Sequence, residues 1–88
     1  MKSKVVLVQE EIYGANILKC SVEHNGFQGG DEGHGGYVKI TLEDLASTSM
    51  HVNGEEANKV EIMFKGDSER ITLLEALKLM VKTLEKPE

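Results

Sequence analysis

Between Asn25 and Gly36 the chain reads N-G-F-Q-G-G-D-E-G-H-G-G, and the residues best suited to chemistry are gathered there. Six of the nine glycines fall in this run: Gly26, Gly29, Gly30, Gly33, Gly35 and Gly36. Among them stand Phe27, Gln28, Asp31, Glu32 and His34, with Tyr37 following. Glycine gives up more backbone entropy on folding than any other residue, so ordering such a run is costly. Either the run is a mobile hairpin tip, or its glycines allow positive φ and close approach of the backbone to a ligand. A plain flexible connector carries Gly and Ser and little else. The aromatic, acidic and imidazole groups here point to a shaped loop, and shaped loops carry function.

Four chemistries fit these residue types. The first is a cradle for an anion or nucleotide, since successive amides in a glycine-rich turn form a nest for phosphate oxygens. The specific phosphate motifs fail: no Lys completes G-x-x-x-x-G-K-S/T, and a G-x-G-x-x-G element needs a helix where a strand follows. Asp31 and Glu32 would repel phosphate but can accept from ribose hydroxyls or base amino groups. His34 can donate to a phosphate, and Phe27 or Tyr37 can stack on a base. Arg70, the chain's one arginine, can bind an anion if it faces the loop. The second is a metal site. His24, Asp31, Glu32 and His34 lie within eleven residues, and zinc takes His and carboxylate ligands, with His24, Asp31 and His34 the best set. No recognised His/Cys spacing accompanies them. The third is hydrolysis, with an Asp31–His34 pair and Ser21 or Cys20 as nucleophile, but no G-x-S-x-G elbow is present. The fourth, protein recognition, asks least of the residues: an acidic domain with a prominent loop and exposed Tyr37 and Met63.

Composition narrows the class. The 88 residues make one domain with a small core. Forty per cent hydrophobic and 28% charged residues suit a globular fold. A net charge of −5 speaks against direct DNA or RNA binding. Cys20 has no cysteine to pair with, which suits a reducing, cytoplasmic setting. The opening M-K-S-K followed by four apolar residues is too short for a signal-peptide core or a membrane span. No cofactor motif is complete.

The elements that must position the loop follow from period-2 alternation. A strand is expected over Lys4–Glu11, apolar on both faces and so covered on both sides. Ile17–His24 and Tyr37–Asp44 flank the loop as a hairpin, with Leu18, Cys20, Val22, Val38, Ile40 and Leu42 turned one way. Leu45-Ala46-Ser47 is a bend. Thr48–Asn53 is a short fourth strand and Lys59–Lys65 a fifth, with Val60, Ile62 and Phe64 inward. Gly66-Asp67-Ser68 ends it, and Glu69–Arg70 is a surface pair. A helix then starts on a Thr72–Glu75 capping box. It carries a core stripe of Leu73, Leu77, Met80 and Leu84 and stops before Pro87. The whole is α+β: an antiparallel sheet of four to five strands packed against one C-terminal helix. One helix covers one sheet face. The other face carries Ile17, Tyr37 and Met63, and a contiguous apolar patch there would be an interface, so a homodimer or larger assembly is expected.

The run G-G-D-E-G-H-G-G at 29–36, with L-E-D-L-A-S-T at 42–48 and G-D-S-E at 66–69, resembles small uncharacterised proteins carried by bacteriophages and prophages. The resemblance covers Asn25 to the C-terminus and brings no activity with it. It implies a setting, that of a phage protein in a host cytoplasm that counters a host factor, either by binding a protein or by sequestering a signalling nucleotide.

The expected site is Phe27, Gly29, Gly30, Asp31, Glu32, Gly33, His34, Gly35, Gly36, Tyr37 and Arg70. In an oligomer the loop would close a pocket against a neighbouring chain, with Gly66–Arg70 at the helix entrance completing the site. The expected function is non-enzymatic capture of a small polar or nucleotide-like ligand. Inhibition of a host protein without a small ligand is the alternative, and metal binding at His24, Asp31 and His34 the second.

Overall fold

The computed structural model describes residues 4–86. Strand β1 (Val6–Tyr13) turns into β2 (Ile17–His24), and the glycine loop leads to β3 (Tyr37–Ala46). Strand β6 (Lys59–Lys65) completes an antiparallel sheet of order β1-β2-β3-β6. Helix α1 (Asp67–Leu84) follows. The fold is α+β, as the alternation predicts.

The pairing register puts the predicted apolar positions in rows. Val8, Val22, Ile40 and Ile62 lie side by side, and so do Cys20, Leu42 and Val60. The first turns of α1 lie over this face, where Leu73, Leu74 and Leu77 line a groove with Val22, Val38 and Ile40. Val38, 6% exposed, is the buried hydrophobic residue at its centre.

Several boundaries differ from expectation, each for a reason outside the local sequence. Strand β1 is an edge strand, exposed on both faces, because no second layer among the described residues reaches it. The fourth strand is shorter than Thr48–Asn53. Only β4 (His51–Val52) pairs, with β5 (Glu55–Glu56), in a separate small hairpin. Asn53 and Gly54 both take positive φ there (55° and 83°), the geometry of a tight two-residue turn. Strand β3 continues past Asp44 to Ala46 because an irregularity at Ile17/Leu18 absorbs an extra residue, and the turn moves to Ser47 at φ 63°.

The helix is capped by Gly66, six residues before the Thr72 of the expected capping box, with no side-chain cap. Thr72 therefore lies inside the helix. The start is set by the loop packed against it, described below. The expected core stripe is only partly covered: Leu73 is half-buried, but Met80 is 55% and Leu84 84% exposed. Pro87, expected to stop the helix, lies outside the described residues.

The second sheet face is not the expected apolar patch. Gln9, Ser21, Thr41, Glu43 and Glu61 line it. Lys39 sits between the Glu23 and Glu61 carboxylates at 3.8 and 3.7 Å. Leu7 and Met63 are exposed on this face, and further uncovered apolar surface lies on the helix side, on β1 and on the far half of α1. No helix among the described residues is long and apolar enough to cross a membrane.

Candidate functional site

The glycine loop is ordered by hydrogen bonds and docks on the start of α1. At its base, Asn25 bridges the two strands it joins: its amide donates to the Gly35 carbonyl at 2.9 Å and its oxygen accepts from the Tyr37 amide at 3.0 Å. Gln28 reaches back to the Asn25 carbonyl at 2.6 Å, and the Gly26 amide donates to His24 Nδ1 at 3.0 Å. At the tip, Asp31 caps a single 3-10 turn over Glu32–His34 by accepting from the Gly33 amide at 3.0 Å. His34 Nδ1 stands 3.4 Å from the same carboxylate, both side chains exposed.

Asp67 ties the loop to the helix. Its carboxylate accepts from the Gln28 amide at 3.0 Å and the Gly29 amide at 2.7 Å. Its own amide donates to the Gly30 carbonyl at 3.0 Å, and the Gly66 amide donates to the Gly36 carbonyl at 2.8 Å. Two adjacent amides of the loop, aimed at the two oxygens of one carboxylate, make a nest of the kind that holds anions. Its acceptor is a carboxylate of the same chain. Gly36 is explained by this contact, since a Cβ there would meet Asp67 Oδ1 at 3.0 Å.

The predicted residues divide into two flanks around Gly66. On the first, the Arg70 guanidinium lies over the Phe27 ring, 4.2 Å from its centroid. The expected Glu69–Arg70 pair is not formed, because Arg70 faces Phe27. Arg70 also lines the mouth of the groove with His24, Val38 and Leu73, a cavity of about 190 Å³ walled mostly by apolar side chains. On the second flank, Asp31 and Glu32 share an open depression with Met63, Lys65 and Glu69. Gly29, Gly30 and Gly35 hold the loop's left-handed turns at φ 93°, 77° and 85°. Tyr37 faces the polar side of the sheet, where its hydroxyl donates to Glu23 at 2.6 Å.

His24, Asp31 and His34 are not gathered into a ligand set. Among the described residues no three His, Cys, Asp or Glu side chains converge as a metal site would require. Cys20 lies half-buried on the groove side of β2, and Ser21 on the polar side, so neither stands beside the Asp31–His34 pair.

Asn25 and Gln28 are structural residues outside the expected site, and Asp67, within the Gly66–Arg70 stretch expected to complete it, acts as the loop's anchor. The signal for Asp67 was present in the Gly66-Asp67-Ser68-Glu69 run, but nothing local says that its carboxylate reaches back to the loop.

The hydrogen bond from Tyr37 to Glu23 raises the phenol's pKa above its usual 10.0, with desolvation and the carboxylate's charge adding to the rise. A raised folded-state pKa gives stability that is fully present below the unfolded value and is lost as pH rises through the folded one. In a Tyr13→Phe background, ultraviolet titration of Tyr37 is therefore expected to move to lower pH on Glu23→Gln. An unchanged titration would show that the hydrogen bond does not persist in solution.

Compared with protein-family models, with curated proteins and with solved structures, the chain matches none.

Proposed function

We propose that this chain is a non-enzymatic binding domain, assembled as a homo-oligomer, whose loop–helix junction captures a small ligand carrying a planar ring and an anionic group, as a nucleotide does. The arrangement of Arg70 over Phe27 carries the reading. Among the described residues Arg70 makes no ion pair, so its planar fork keeps its donors for a phosphate or carboxylate. Phe27 is 59% exposed, which leaves ring surface for a base to stack on. The loop is already tied in place, so binding does not carry the cost of ordering it. The anion goes to Arg70 and not to the amide nest, because Asp67 fills the nest. Asp31, Glu32 and His34 are the polar groups within the same loop for ribose hydroxyls or base edges. The resemblance to phage proteins supplies a setting in the host cytoplasm, where a signalling nucleotide is a ligand of this chemistry.

A thermal-shift panel of cyclic mono-, di- and trinucleotides and ADP-ribose derivatives tests this. A ligand at about 100 times its Kd adds about 2.7 kcal/mol. In a domain of this size that raises the midpoint by about 10 °C or more. Arg70→Ala and Phe27→Ala each abolish the shift, and Arg70→Lys restores little of it. A flat panel removes the reading.

The bare apolar surface on β1 and α1 favours a second reading, a protein-interaction module that inhibits a host protein. It predicts a flat panel together with specific capture of one host protein.

A further inference from the structure

The chain exposes far more surface than its mass accounts for. A compact monomer of 9.7 kDa exposes about 5,100 Å², whereas this chain exposes 6826 Å². The excess of about 1,700 Å² per chain is of the size that obligate dimers bury. The radius of gyration, 14.9 Å, likewise exceeds the roughly 12 Å of a compact domain this long.

Among the described residues two complementary apolar surfaces contribute to this exposure. From Leu77 to Leu84 every residue of α1 is exposed, including Leu77, Leu79, Met80, Val81 and Leu84. Leu77, Met80, Val81 and Leu84 share one face, with Leu79 on the opposite side, and an amphipathic helix does not keep such a face in water without a cover. On the same side of the sheet, Val6, Val8 and Ile12 of β1 are also open, and Val8 is 54% exposed. Val8 pairs with Val22, which faces the helix groove, so all three residues point to the helix side. One chain thus presents an apolar ridge and an apolar bed on a single side, and its own ridge does not fill its own bed.

We propose that two copies of this chain exchange these surfaces about a two-fold axis, the C-terminal half of each α1 lying on the partner's β1–β2 bed. This rests on the homo-oligomer of the proposed function and names its interface. The two-fold makes the contact isologous, so each copy covers the other's bed at once. Charge agrees with it. Glu10 stands between Val8 and Ile12 on the bed, and Lys78, Lys82 and Glu85 flank Leu77 and Val81 on the ridge, two cations to one acid. Neither Glu10 nor Lys82 is ion-paired among the described residues. In the exchanged dimer each Glu10 meets a Lys82, whereas a partner with an acidic ridge would be repelled.

Sedimentation equilibrium on the full chain tests the exchange. The wild type is expected at twice the chain mass at micromolar concentration. Glu10→Lys and Lys82→Glu each weaken the dimer by about tenfold or more, and the double reversal restores it to within about threefold. Both side chains are exposed, so neither change disturbs the fold of the single chain, and circular dichroism checks this. A monomeric wild type overturns both the exchange and the homo-oligomer. A dimer indifferent to the reversals, or one that the double reversal fails to rescue, overturns the exchange alone.

Discussion

Gly66→Ala lowers the midpoint of thermal unfolding by about 12–24 °C, from a loss of about 3 kcal/mol at about 4–8 °C per kcal/mol. Gly66 sits at φ 110° and ψ 153°, a region open to glycine and strained for any L side chain. It is also buried. A Cβ at this position would stand 2.7 Å from Glu69 Oε1, 3.0 Å from the Glu32 nitrogen and 3.1 Å from the Asp31 carbonyl carbon. The glutamate can swing aside, but the two backbone atoms cannot move without lifting the 3-10 turn off the helix. That movement breaks the bond from the Asp67 amide to the Gly30 carbonyl. Gly54→Ala is the control. Gly54 has φ 83° but no atom within 4 Å of its Cβ position, so it meets backbone strain alone and loses about 1 kcal/mol. Melting curves by circular dichroism distinguish the two. Equal midpoints for the two variants would mean that the loop does not pack on the helix entrance.

Asp67→Ala has the next largest effect, about 2–3 kcal/mol. The carboxylate holds two loop amides, and such charge-assisted bonds are stronger than neutral ones. Its removal leaves the part-buried Gln28 amide without its acceptor, and an unsatisfied donor costs more than the mean worth of a hydrogen bond. It also removes a negative charge from the first turn of α1, where the helix dipole favours one. Asp67→Asn falls between, since its amide oxygen can replace one acceptor while its NH₂ faces the other N–H donor. The direct measurement is amide hydrogen exchange. Gln28 and Gly29 exchange about 30–150-fold faster in Asp67→Ala, the factor that corresponds to 2–3 kcal/mol. Exchange at the wild-type rate would show that the nest stays closed without Asp67. If the two amides instead become available to a ligand anion, phosphate-containing ligands bind Asp67→Ala more tightly than the wild type, and the anion site would move from Arg70 to the nest.

The alternation of Leu18, Cys20 and Val22 and of Val38, Ile40 and Leu42 was enough to set the strands, their facing and the α+β class. Side chains on a pleated strand alternate whatever the strand packs against, so this information is local. Six glycines broken by Phe27, Asp31, Glu32 and His34 were also enough to mark a shaped loop, and the lone Arg70 did come to face it. Cover could not be read the same way. Val6, Val8 and Ile12 look like an enclosed strand, yet β1 is an edge, because strand order and the reach of the helix are set by the whole chain. The Thr72–Glu75 box was a sound local helix start, but it lost to Gly66 and Asp67.

That last difference marks the division. Sequence by itself determined which segments alternate, which loop is built and which residue types it offers. The tertiary structure alone decided that Asp67 closes the amide nest across 38 and 39 residues of chain, that Arg70 stacks on Phe27, and that Tyr37 turns to Glu23. Such contacts form between groups far apart in sequence, and their strength depends on burial and direction, which exist only once the sheet has brought the loop and the helix entrance together.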